Sequence, residues 1–141
     1  MVYVLDACFV GAVIIPDEKN QDAEKMYLTI KNDDTKYVPC LFSYEMASIF
    51  MKLIRRKRYN HEEVVKLLPS LAAIHLTTDY ETGAEYTEKL LSLSNDYNIS
   101  AYDAAYLELA GRKKAVLCTL DERLKAAAGK YGVVTLHQDI T

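Results

Sequence analysis

The sequence contains no tryptophan, only three prolines and five glycines, and only three cysteines. Cys8, Cys40 and Cys118 stand far apart. An odd number without a C-x-x-C pair excludes a disulfide framework and a zinc motif. Their ordinary role is that of small buried hydrophobes, and a reducing cytoplasm suits them. No apolar run approaches the roughly 18 residues of a membrane span. The opening MVYVLDACFVGAVIIPDE has no basic stretch before its apolar residues and carries Asp6 among them, which argues against a signal peptide. Charge of one sign is also missing: 17 Lys and Arg face 20 Asp and Glu, for a net charge of −3. That excludes capture of nucleic acid by bulk positive charge. Repeats, low-complexity tracts and long polar linkers are absent too, so residues 1–141 read as one domain.

What remains is an alternation of short apolar strands and helices. VYVL (2–5) is β-prone and ends at an aspartate. Residues 20–32 read as an amphipathic helix, and YVP (37–39) as a brief strand stopped by Pro39. From Leu41 to about Arg58, Leu41, Phe42, Met46, Ile49, Phe50 and Leu53 recur at three- and four-residue steps, which predicts a helix. A short helix follows over 61–68, ending near Pro69, then a strand AIHLT (73–77). Residues 79–97 read as a long helix and residues 100–111 as another. AVLCTL (115–120) is a strand that again ends at an aspartate. ERLKAAAGKYG is a helix closed by glycine, and VVTL (133–136) is a last strand. Continuous apolar strands alternating with helices predict an α/β fold, a mostly parallel sheet of about five strands with helices on both faces. Such sheets bind ligands beyond the carboxyl ends of their strands, at the switch point of the strand order.

Four acids stand out against that frame. Asp6 and Asp121 directly follow apolar strands. Glu45 lies in the first turns of the helix that begins near Leu41, at the margin of its apolar face. Asp103 lies in the first turn of ISAYDAAYLELA (99–110), a helix otherwise built of alanine, leucine and tyrosine. Each has a plain explanation: Asp6 and Asp121 as N-caps, Ser100 and Asp103 as a capping box, Glu45 as an acid near a positive helix end. Gathered at one end of the sheet, however, the four would repel, and at least one would hold a proton. A divalent cation relieves that repulsion. Mg²⁺ prefers carboxylate and water oxygens, so the set reads as a Mg²⁺ or Mn²⁺ site. His61, His75 and His137 are scattered and stand at no zinc-ligand spacing.

VLDAC (4–8), PCLFSYEMASIFMKL (39–53), ISAYDAAYLELA (99–110) and LCTLDERL (117–124) together resemble the PIN domain, and in particular its VapC-type toxin ribonucleases. The resemblance spans essentially the whole chain, with the pieces in the family's order. It implies a three-layer α/β/α fold and a Mg²⁺-dependent endoribonuclease that cuts single-stranded regions of RNA. It also implies a homodimer and a cognate, VapB-like antitoxin. The family's acidic quartet falls on Asp6, Glu45, Asp103 and Asp121. Asp6 and Asp103 match the positions most often bound directly to metal, with Glu45 and Asp121 bound directly or through water. Thr119 matches a supporting hydroxyl. Cys8 stands where the family usually has Ser or Thr, and a thiol is the weaker hydrogen-bond donor.

Such a site would activate a water for in-line attack on the scissile phosphate, with Asp103 or Asp121 as general base, and leave a 5′-phosphate. Arg55–Arg58 and Arg112–Lys114 are dense basic runs that could touch phosphates or simply be solvated helix ends. Arg123, just beyond Asp121, is the better candidate for phosphate contact. Eleven tyrosines offer stacking surfaces for unpaired bases, although more of them belong to packing. Three other readings compete. One is a housekeeping RNA-processing PIN nuclease, and another is an inactive PIN-like module that binds RNA or protein. The third is a haloacid-dehalogenase-like phosphatase, disfavoured because D-A-C places Cys8 where a second acid is needed.

Overall fold

A computed structural model describes residues 1–137. Four parallel strands form its sheet: β1 (Val2–Leu5), β2 (Thr35–Pro39), β3 (Thr77–Asp79) and β4 (Val116–Cys118). Their order is β3-β2-β1-β4. The chain therefore builds outward from β1 through β2 to β3, then returns to the other side of β1. The switch point lies between β1 and β4.

Side chains of β1 alternate between two cores, as the two-residue strand period requires. Tyr3 and Leu5 join a cluster with Phe9, Met26, Phe42, Met46 and Phe50. Val4 joins the opposite cluster, with Leu107, Leu109, Leu117 and Leu124. The first cluster is supplied by α1 (Ala7–Ile14), α2 (Gln21–Leu28) and α3 (Phe42–Arg55). The short α4 (His61–Val65) and α5 (Leu68–Ala72) follow. The second is supplied by α6 (Ala84–Tyr97), α7 (Ala101–Lys113) and α8 (Glu122–Tyr131). The result is a three-layer α/β/α fold. Every residue from Ala104 to Ala110 is buried. That explains the small, apolar make-up of α7: a helix covered on nearly all sides has no polar face to show.

Several expectations move. The segment ACFVGAVI has no amphipathic period, yet it forms α1, because it is buried along most of its length and is capped by Asp6. The third strand is not 73–77 but Thr77–Asp79, and Ala73 instead caps α5. Pro69 does not end a helix. It sits in the first turn of α5, where its missing N–H costs nothing. The expected fifth strand shrinks to a single parallel bridge between Leu117 and Thr135. Leu117 donates to the Val134 carbonyl and accepts from the Leu136 N–H, and the ladder goes no further among the described residues. None of the described helices is long and apolar enough to cross a membrane.

Candidate active site

Each of the four acids is placed by an element boundary at the carboxyl edge of the sheet. Asp6 is the first residue past β1, and its backbone N–H donates to the Cys118 carbonyl of β4 at 3.1 Å. It caps α1, its carboxylate accepting from the Phe9 N–H at 2.7 Å. Asp121 follows β4 and caps α8, accepting from the N–H groups of Arg123 (2.8 Å) and Leu124 (3.0 Å). These two acids thus flank the switch point from its two strands. Glu45 and Asp103 come from the first turns of α3 and α7.

Ser100 caps α7 by accepting from the Asp103 N–H at 3.0 Å. Only this half of a capping box is formed. In α4 the reciprocal bond is present as well: the Glu63 carboxylate accepts from the Asn60 N–H at 3.1 Å. Asp103 makes no such return bond to the Ser100 backbone; its carboxylate interacts with the Ser100 hydroxyl and feels the charges of Asp121 and Arg123.

The electrostatics tie the four together. Burial pushes the Asp6 carboxyl up to about 6. The Thr119 hydroxyl and the Phe9 N–H oppose that shift, while the charges of Asp103 and Glu45 add to it. Glu45 is raised by burial, held back by a hydrogen bond from Tyr106, and raised further by Asp103. Asp103 is raised by burial and then by Asp121, with Ser100 and Arg123 opposing. The thiol of Cys8 is raised by burial and by the charges of Asp6, Glu45, Asp121 and Asp103 in turn. One side chain therefore senses all four carboxylates. Cys8 is exposed by surface area, unlike Cys118, although neighbouring atoms crowd its thiol, and so it departs from the small-hydrophobe role expected of it.

Two groups support the acids from below. Thr119 is 1% exposed and accepts from the Asp121 N–H at 3.0 Å, so its hydroxyl serves both Asp6 and Asp121. Tyr106, also 1% exposed, donates its hydroxyl to Glu45 Oε1 at 2.6 Å. Sequence analysis does not single out Tyr106. Its position three residues after Asp103 was the available signal, since residues so spaced share a helix face.

The carboxylates are hard oxygen donors, and their mutual repulsion suits a divalent cation. Among the described residues, no three His, Cys, Asp or Glu side chains are grouped tightly enough to close around one ion.

The basic runs behave less uniformly than expected. Arg112 grips Asp79 with both terminal nitrogens (3.0 and 2.6 Å) and Glu108 through Nε (2.8 Å). Lys113 lies over the Tyr37 ring at 4.8 Å. Arg58 pairs with Asp17 and Glu18. These groups are engaged within the fold. Arg123 lies close enough to Asp103 to lower its pKa.

A parallel three-layer α/β/α domain with four acids at its switch point defines a recognisable class. The chain belongs to the PIN domain family, whose model matches residues 3–130. It is 27% identical over 124 residues to the ribonuclease VapC3 of Pyrobaculum aerophilum, an alignment covering 88% of this chain and 92% of that protein. Two crystal structures share the fold. One is PAE2754 of Pyrobaculum aerophilum, with TM-score 0.68, 19% identity and coverage of 90% of this chain and 84% of that one. The other is FitAcB of Neisseria gonorrhoeae, with TM-score 0.65, 18% identity and full coverage of both chains.

Proposed function

We propose that the chain is a Mg²⁺-dependent endoribonuclease that cuts single-stranded RNA and serves as the toxin of a toxin–antitoxin pair. The observation that carries the reading is the placement of Asp6, Glu45, Asp103 and Asp121 at helix starts along the carboxyl edge of one parallel sheet, with Asp6 and Asp121 just past the two strands that flank the switch point. Membership of the PIN family and similarity to a protein named as a ribonuclease support it. Asp6 and Asp103 are the proposed direct ligands, with Glu45 and Asp121 direct or through water. Mg²⁺, or Mn²⁺ in its place, would supply charge neutralisation at the phosphate and a water that gives up its proton near neutral pH.

The chain's own groups do the rest. Thr119 and the Phe9 N–H orient Asp6, and Tyr106 orients Glu45. A carboxylate oxygen of Asp103 or Asp121 takes the proton of the attacking water. The water oxygen then bonds to phosphorus as the 3′-oxygen leaves, giving a 5′-phosphate and a 3′-hydroxyl. Arg123 contacts a neighbouring phosphate. A VapB-like antitoxin and a second copy of the chain complete the proposed assembly in the cytoplasm.

One observation favours a second reading, an RNA- or protein-binding module without chemistry: the absence of a closed three-ligand group among the described residues. Incubating an unstructured RNA pool with the protein in Mg²⁺, in Mn²⁺ and in chelator separates the two. The nuclease reading expects cutting only with metal, and fragments bearing 5′-phosphates. Absence of cutting under any metal supports the binding module, and 2′,3′-cyclic phosphate ends exclude attack by water.

A further inference from the structure

Two surface grooves open beside the acids, and they run into one another. The first, of about 490 Å³, is lined by Cys8, Tyr44, Glu45, Ser48, Lys52 and Tyr102. The second, of about 400 Å³, shares Cys8, Ile49 and Lys52 with it and continues to Arg56. Glu45, Lys52 and Arg56 are one stripe along α3 and its C-terminal cap. Positions seven and eleven residues beyond Glu45 return to within about 20° of its direction, about 10 and about 16 Å along the axis. The stripe thus leads from an acid of the site to two cations.

Those cations are not tied up within the fold, as several others are. Arg58, Arg112, Lys113, Lys125 and Lys19 all have partners within the fold. Among the described residues, Lys52 and Arg56 have no carboxylate within ion-pair distance. On the same groove as Glu45 and Cys8, Tyr44 and Tyr102 are 77% and 64% exposed, large aromatic side chains open to solvent. A cationic track beside exposed aromatic rings is the pattern that holds unpaired nucleic acid: the cations follow the phosphates and the rings stack on bases. Locally it also offsets the repulsion that the four acids exert on a polyanion.

We infer that single-stranded RNA lies along this double groove, with bases stacked on Tyr44 and Tyr102 and phosphates held by Lys52 and Arg56. The inference rests on the nuclease reading and adds the path of the substrate. The track makes the site one for unpaired RNA, because a duplex keeps its base faces inside the stack and cannot offer them to the rings.

The test is the affinity of a fluorescent, unstructured RNA for the Asp103→Asn protein, which binds without cutting, measured against salt concentration. In that background, Lys52→Gln with Arg56→Gln should lower the slope of log K against log salt by about 1.4, two contacts at about 0.7 each on a single strand. Tyr44→Leu and Tyr102→Leu should each weaken binding roughly fivefold or more, with little change in slope. Lys89→Gln with Lys130→Gln, exposed cations on other faces, should change neither. All these positions are exposed, and unchanged thermal unfolding verifies each fold.

An equal loss in the Lys89/Lys130 control means bulk charge only and overturns the track. Unaltered binding in the groove variants also overturns it, and leaves the groove to a protein segment such as an antitoxin's. If the Asp103→Asn background protein binds no single-stranded RNA, the track falls. If wild type also cuts none, the nuclease reading falls with it.

Discussion

Tyr106 Oη and Glu45 Oε1 lie 2.6 Å apart, joining the buried face of α7 to the first turn of α3. The bond runs between layers that lie on opposite faces of the sheet, 61 residues apart in sequence. It holds a half-buried carboxylate whose burial would otherwise favour the protonated form.

Tyr106→Phe keeps the ring and removes the donor. It should destabilise the protein by about 1–3 kcal/mol, because a buried acceptor loses a charge-assisted partner, and urea unfolding measures that. Metal-dependent cutting should fall roughly 10- to 100-fold, the usual effect of losing a group that orients a ligand. The titration of Glu45 should also move upward, since the Tyr106 bond holds it down. Full activity in a folded Tyr106→Phe protein would show that Glu45 needs no such anchor.

Asp6 makes stability depend on pH in the direction opposite to a salt-bridged acid. Its folded pKa, about 6, lies above its ordinary 3.8. Between those values the folded state binds more protons than the unfolded one, so stability falls as pH rises through the window and then levels off. Asn at this position still caps α1 but carries no charge. With metal chelated, Asp6→Asn should therefore gain on wild type by roughly 2–3 kcal/mol between pH 4 and pH 8. Thermal unfolding at both pH values reads this. A difference that is flat with pH, or that grows as pH falls, contradicts the burial of a strained charge at this position.

Arg112 is a structural cation rather than a phosphate contact. Glu108 is 5% exposed and depends on it. Removing one partner of a buried pair leaves the other charge uncompensated, so Arg112→Ala should cost about 3–5 kcal/mol in urea unfolding. Under conditions where the variant is still folded, the salt slope of RNA binding should match wild type. A reduced slope with unchanged stability would instead turn the 112–114 run toward RNA.

Much of the site could be read from local pattern. Strands that stop at Asp6 and just before Asp121, and acids in first helical turns at Glu45 and Asp103, are one-dimensional features, and a parallel sheet places all of them at one edge. What escaped depends on three dimensions. The α1 segment has no period because it is buried along most of its length, and periodicity detects only helices with two unlike faces. The strand over 133–136 has the right composition, but composition does not set how many ladder bonds form. Arg112 meets Asp79 across 33 positions, and Arg58 meets Glu18 across 40, so runs that look alike in sequence end up engaged or free. The half-formed capping box at Ser100 illustrates the same limit: its spacing predicts both bonds, and only the bond from the Asp103 N–H to the Ser100 hydroxyl forms.

The central claim is that the four acids form one metal-dependent nuclease site, and Asp103 is its sharpest point because an acid in the first turn of a helix also suits the positive end of the helix dipole. The decisive measurement is the rate of RNA cutting against Mn²⁺ and Mg²⁺ concentration for wild type and Asp103→Asn, with thermal unfolding of both. The Asn side chain keeps the local helix start, because the Ser100 bond uses the backbone N–H of residue 103. Metal-dependent cutting in wild type that is lost in a variant of equal stability is the predicted result. A variant that cuts as well as wild type, or a wild type that cuts under no metal, would contradict it.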